Sequence, residues 1–104
     1  MTREFIILPE FDKQWKSLGL SDDDLVLLEE FLCINPNVGN VIRGTGGLRK
    51  LRWALPGKGK SGGIRIVYVD FVLYEKLYLI SAYKKNQKIN LKAEEKKEIK
   101  ELIK

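Results

Sequence analysis

The sequence predicts an α+β domain in which helices lie on one side of a mostly antiparallel sheet. Three observations carry this. Apolar residues recur at helical spacing between residues 9 and 34, and the pattern changes to period two from Gly47 onward. The links between the later segments are short enough for antiparallel pairing. The order strand, two helices, three strands and a closing helix keeps the helices together on one face.

Each element has its own signal. Residues 3–8 (Arg-Glu-Phe-Ile-Ile-Leu) read as a short strand, and Pro9 suits the first turn of a helix in which Phe11, Trp15 and Leu18 share a face. Gly19 ends that helix. Ser21 with Asp24 three residues later resembles a capping box, and Leu25, Leu28, Phe31 and Leu32 form the stripe of a second helix that stops before Asn35-Pro36. The two make a helical hairpin. Residues 48–54, 63–70 and 76–83 then fit strands rich in β-branched and aromatic residues, forming a three-strand meander. Asn90 is a plausible N-cap for a thin amphipathic C-terminal helix carrying Leu91, Ile99, Leu102 and Ile103.

A chain of 104 residues with 44% hydrophobic content has ordinary single-domain size, and one core is expected to serve residues 1–104. No stretch approaches the roughly 18 apolar residues of a membrane span, and the N-terminus lacks a signal-peptide layout, so no membrane partner and a cytoplasmic location are expected. With no histidine and only Cys33, a Cys/His zinc site, a Cys–His nucleophilic pair and an internal disulfide are all excluded. Cys33 reads as a small core or boundary residue.

Charge is the main functional signal. Residues 43–65 hold Arg43, Arg49, Lys50, Arg52, Lys58, Lys60 and Arg65 with no acidic residue among them. Seven positive charges there against a whole-chain net of +5 leave about −2 elsewhere, so the excess is local and a polyanion is the natural partner. Alternation puts Lys50 and Arg52 on one strand face and Leu51 and Trp53 on the other. If hairpin register brings Arg65 beside them, three cations converge at a cost in like-charge repulsion that an anion would relieve. A merely solvated sheet face is the plain alternative, weakened by the absence of interleaved carboxylates.

Residues 57–61 (Gly-Lys-Gly-Lys-Ser) suggest a nucleotide-binding loop, but Ala54 stands where that pattern needs glycine and a strand follows where it needs a helix. Lys58 and Lys60 instead read as phosphate-contacting or solubilising charges on a glycine-rich hairpin tip. Tyr83, Lys84 and Lys85 form a second basic cluster at the end of the last strand. Tyr83 could stack on a base, although packing of its ring is slightly favoured.

Three segments together, residues 44–52 (Gly-Thr-Gly-Gly-Leu-Arg-Lys-Leu-Arg), 59–68 (Gly-Lys-Ser-Gly-Gly-Ile-Arg-Ile-Val-Tyr) and 83–86 (Tyr-Lys-Lys-Asn), resemble the RelE/HigB toxin superfamily, with the HigB branch closest. The resemblance covers nearly the whole chain, since the order of elements is also that family's. It implies the toxin of a type II toxin–antitoxin pair, a ribosome-dependent endoribonuclease (mRNA interferase) that cleaves translated mRNA in the A site without a metal or other cofactor. The implied partners are a cognate antitoxin, helix-turn-helix in type and encoded beside the toxin, together with the 70S ribosome and its mRNA.

Carried over residue by residue, the resemblance makes Lys50, Arg52, Arg65 and Lys85 catalytic. Arg49, Lys58, Lys60, Tyr83 and Lys84 are the accompanying RNA-binding candidates. Arg65 would stabilise transition-state charge, Arg52 orient the phosphate, Lys50 act in proton transfer, and Lys85 serve as leaving-group acid or phosphate clamp. One departure is Leu91, which stands where the best-known branch has a base-stacking tyrosine. Two other readings stay open at this point: a ParE-like gyrase inhibitor, and a non-catalytic RNA- or ribosome-binding module.

Overall fold

The structure is a computed structural model that describes residues 3–54 and 63–84. It comprises β1 (Glu4–Ile7), α1 (Pro9–Ser17), α2 (Asp22–Ile34), β2 (Asn40–Val41), β3 (Arg49–Trp53), β4 (Ile64–Phe71) and β5 (Lys76–Lys84). The strands form one sheet in the order β1-β5-β4-β3-β2, with β1 parallel to β5 and every other pair antiparallel. The α+β arrangement and the meander of three long strands are as the sequence predicts. Three features are additional: the two-residue edge strand β2, the parallel pairing of β1, and a one-turn 3₁₀ segment at Val72–Tyr74. The predicted C-terminal helix and the 56–63 hairpin tip fall outside the described residues, apart from Gly63. Among the described residues no helix is long and apolar enough to cross a membrane.

Local chemistry explains the helix boundaries. Leu8 offers no side-chain cap to α1, but Pro9 at its first position has no amide hydrogen to leave unsatisfied. The turn after α1 is held by the Trp15 indole N–H, which donates to the Ser21 carbonyl at 3.0 Å. Ser21 then caps α2 reciprocally: its hydroxyl accepts from the Asp24 amide while the Asp24 carboxylate accepts from the Ser21 amide, giving the capping box. Asp22, Asp23 and Asp24 in the first turn complement the helix dipole. With Glu29 and Glu30 they make α2 an acidic helix that carries no basic residue.

Both faces of the sheet are apolar over their middle. Toward the helices, Phe11, Trp15, Leu25, Leu28 and Leu32 pack on Leu51, Ile64, Ile66, Tyr68, Leu77, Leu79 and Ala82. Phe11 and Trp15 stack with ring centroids 5.4 Å apart. On the other side Leu48, Val67, Val69 and Ile80 form a second cluster, joined by Leu8, Ile42, Phe71, Tyr78 and Tyr83. β4 is therefore covered on both faces and paired along both edges. A buried bidentate pair, Arg3 Nε to Asp70 Oδ1 at 2.6 Å and Nη2 to Oδ2 at 3.2 Å, ties the N-terminal segment to the far end of β4. Hydrogen bonding to Asp70 pushes the Arg3 guanidinium pKa further up.

The segment between α2 and β3 is positioned by two side chains from the strands. The fully buried Tyr68 hydroxyl donates to the Pro36 carbonyl at 2.9 Å and accepts from the Gly39 amide at 3.0 Å. Arg49 Nη1 donates to the Gly39 and Asn37 carbonyls at 2.7 and 3.2 Å. A side chain at position 39 would put its Cβ 3.0 Å from the Tyr68 ring and hydroxyl and 3.1 Å from the Lys50 carbonyl, a close approach that glycine avoids. Tyr68→Phe strips the acceptor from a buried amide, and urea unfolding should show it about 2 kcal/mol less stable than wild type.

Candidate functional site

Register assembles the cations. β3 and β4 pair with Arg52 directly opposite Arg65 and Lys50 opposite Val67, and β4 and β5 pair with Arg65 opposite Tyr83. Residues opposite each other share a face, so Arg52, Arg65 and Tyr83 lie in a row across three strands, with Cβ atoms of neighbours about 5 Å apart. Lys50 sits two residues along β3 on the same face, roughly 7 Å from Arg52. The convergence that the sequence left conditional on register is thus realised.

Exposure grades along that row. Lys50 and Arg52 are exposed, while Arg65 and Tyr83 are half-buried beside the second apolar cluster. Arg65 Nη1 is buried with no hydrogen-bond partner among the described residues. Nor does any described carboxylate pair with Lys50, Arg52 or Arg65; ion pairs among the described residues include Arg3–Asp70, Lys16–Asp12 and Lys76–Glu4. Like charges at directly opposed strand positions repel, and more so where one of them is half-buried. An orphaned donor and uncompensated like charges are both satisfied by one ligand type, an oxyanion with several acceptor oxygens.

Tyr83 contributes through its ring, packed against the second cluster, as the sequence reading slightly favoured. Burial pushes its hydroxyl above the usual phenol range, while the Arg65 charge acts in the opposite direction. The phenol therefore stays protonated at neutral pH and can donate.

Two of the predicted RNA-binding residues do not join this face. Arg49 shares the helix-side phase of Leu51 and Trp53, and its guanidinium is committed to the carbonyls of Asn37 and Gly39. Lys84 pairs in register with Ile64 and so takes the helix-side phase as well. Lys58, Lys60, Lys85 and Leu91 lie outside the described residues. Arg43 is exposed in the loop before β3, where Thr45 performs the structural work: fully buried, its hydroxyl donates to the Ile42 carbonyl at 2.5 Å and accepts from the Leu48 amide at 3.2 Å. Gly44, Gly46 and Gly47 supply the positive φ angles of that loop.

A depression of about 370 Å³ lined by Arg3, Glu4, Tyr74 and Glu75 lies near the start of β5, some 20 Å along the strand from Tyr83, and is unrelated to the cations.

A family model described as the RelE toxin of the RelE/RelB toxin–antitoxin system matches residues 9–104. The chain belongs to the RelE toxin family. Among solved structures it is similar to a double arginine-to-alanine mutant of the E. coli toxin RelE in its free state, with a TM-score of 0.59 and 19% sequence identity over 100% of both chains. That likeness shows the shared fold. Family membership makes the chain a toxin of a toxin–antitoxin system and implies an antitoxin partner.

Because Arg52 faces Arg65 across the ladder, removing one charge relieves repulsion. Arg52→Gln is expected to raise stability by about 0.5 kcal/mol at low salt, with the difference shrinking as ionic strength rises. Denaturant melts at two salt concentrations measure both.

Proposed function

We propose that this RelE-family toxin, of the HigB branch by its motifs, is a cytoplasmic ribosome-dependent endoribonuclease that cleaves translated mRNA in the A site. The observation that carries this reading is the row of Arg52 and Arg65, flanked by Lys50, on one sheet face with no carboxylate partner among the described residues. Its partners are the 70S ribosome, the mRNA and a cognate helix-turn-helix antitoxin.

The chemistry asked of these side chains is cleavage by the neighbouring 2′-hydroxyl. The 2′ oxygen bonds to phosphorus as the 5′ oxygen of the next nucleotide leaves. One proton departs the 2′-hydroxyl and one arrives on the leaving oxygen, giving a 2′,3′-cyclic phosphate and a 5′-hydroxyl end. The half-buried Arg65, with its orphaned Nη1, is suited to the charge that builds on the non-bridging oxygens in the transition state. Arg52, exposed opposite it, orients the phosphate through its donor fork. Lys50 serves in proton transfer, and Lys85 serves as leaving-group acid or a further clamp. Arg49 and Lys84 take no part in this mechanism, and Lys58 and Lys60 add phosphate contacts that raise affinity without reading sequence.

The ribosome supplies the geometry of the message while the toxin supplies fixed charge. Tyr83, packed against the apolar cluster, orders the edge of the site.

Wild type and Arg65→Ala should be induced in cells, with 5′ ends of fragments mapped on translated and untranslated versions of one message. Arg65→Ala is expected to lower cleavage on the order of 10²- to 10³-fold while keeping most ribosome association by cosedimentation. Growth arrest with intact mRNA and a DNA-damage response would assign the protein to gyrase inhibition instead. Equal losses of binding and arrest in Arg65→Ala and in a Lys58→Glu/Lys60→Glu variant would mark a non-catalytic binder.

A further inference from the structure

β5 changes phase partway along its length, and the site depends on that change. Leu77 and Leu79 point to the helix-side core, and Tyr78 and Ile80 to the opposite cluster. Strict alternation would continue by sending Tyr83 toward the helices. Instead Ala82 is in the helix-side core and Tyr83 is in the opposite cluster. The cause is a bulge: Val67 pairs with Ser81 and Tyr68 pairs with Leu79, so β5 carries one residue more than β4 at this point. Only with that extra residue does Tyr83 arrive beside Arg65.

A bulge weakens a ladder, so something must hold it. On the β4 side, pairing resumes at Val67 and Ser81 and continues through Ile66 and Ala82. On the other side β1 is running out: its register with β5 ends at Ile7 and Leu79, and the Leu8 amide makes one more bond, to the Leu79 carbonyl at 3.1 Å. Beyond it no strand covers that edge of β5 among the described residues. Gln14, from the last turns of α1, takes that place. Its Oε1 accepts from the Ala82 amide at 2.9 Å and from the Ser81 hydroxyl at 2.9 Å. The Ala82 amide can only donate, which fixes the oxygen of Gln14 as the atom facing β5. Both β5 residues are buried, with Ala82 2% and Ser81 5% exposed, so without Gln14 the amide would lack water as well as a protein acceptor.

The geometry points to Gln14 as a positioning residue for the basic face: by supplying the acceptor that β1 no longer provides, it locks the β5 bulge and so sets Tyr83 against Arg65. Gln14 touches no substrate. Its influence on cleavage rests on the catalytic reading proposed above, whereas its influence on the phase of β5 does not.

Two variants separate the acceptor from the mere presence of a side chain. Gln14→Glu keeps an oxygen able to accept both bonds, and Gln14→Leu fills similar volume with none. In Gln14→Leu, nuclear Overhauser contacts between the Tyr83 ring and the second apolar cluster should be lost while those between Phe11 and Trp15 persist. Single-turnover cleavage on programmed ribosomes should fall roughly tenfold to a hundredfold, as for a misplaced group, with ribosome affinity held within about twofold. Gln14→Glu should retain the Tyr83 contacts and stay within about threefold of wild-type cleavage.

A folded Gln14→Leu protein that keeps both the contacts and the rate overturns the proposal, as does equal damage in the two variants. Should wild type fail to cleave, the catalytic reading falls and the Tyr83 contacts alone decide the role of Gln14. Should Gln14→Leu fail to fold, amide exchange of the wild-type protein decides it. Protection of the Ala82 amide comparable to the β4 amides supports the lock, and exchange as fast as an open edge refutes it.

Discussion

β4 is paired along both edges and covered on both faces, and the remaining architecture is arranged around that constraint. A strand in this position must present apolar side chains alternately to two cores, which Ile64, Ile66 and Tyr68 do toward the helices and Val67 and Val69 do on the other side. Arg65 is the exception in that run. A charged side chain beside a buried cluster, with one nitrogen lacking a partner among the described residues, costs the fold stability. Because β4 cannot shift without disturbing both cores, the Arg65 backbone is held on a rigid element.

Much of the fold was legible because its signals are local. Pro9, the Ser21–Asp24 capping box and the period-two runs of the three long strands each depend on neighbours in sequence, and the helices and strands begin and end within a residue or two of where those signals put them. The features that escaped depend on distant partners. β2 is two residues long and exists because Tyr68 and Arg49 hold the preceding turn. The parallel seat of β1 and the Arg3–Asp70 pair join the start of the chain to residues more than sixty positions away. The β5 bulge leaves no mark in composition, since Ile80, Ser81 and Ala82 suit either phase.

The site was legible to a similar degree, and for the same reason. Lys50, Arg52 and Arg65 came together because alternation and a short hairpin nearly determine register. Arg49 shows where charge alone misleads: in sequence it is one more cation of the basic run, yet one residue's difference in phase turns it to the helix side, where it serves backbone carbonyls. Tyr68, which strengthened the motif resemblance, is likewise a structural residue. A motif in this chain thus mixes two kinds of position, those that build the platform and those displayed on it, and only the phase of each strand tells them apart.

The acidic character of α2 acquires a meaning once the layers are set against each other. Among the described residues α2 carries five carboxylates and no base, while Lys50, Arg52 and Arg65 stand on the reverse of the sheet. Charges of opposite sign separated across a protein give it a permanent dipole, and the field around a polyanion exerts a torque on such an object before contact. At physiological ionic strength the screening length is about 8 Å, so an anionic surface near the sheet senses chiefly that face, and one near the helices is turned away. Among the described residues, α2 therefore sets a preference of orientation for any polyanion that approaches.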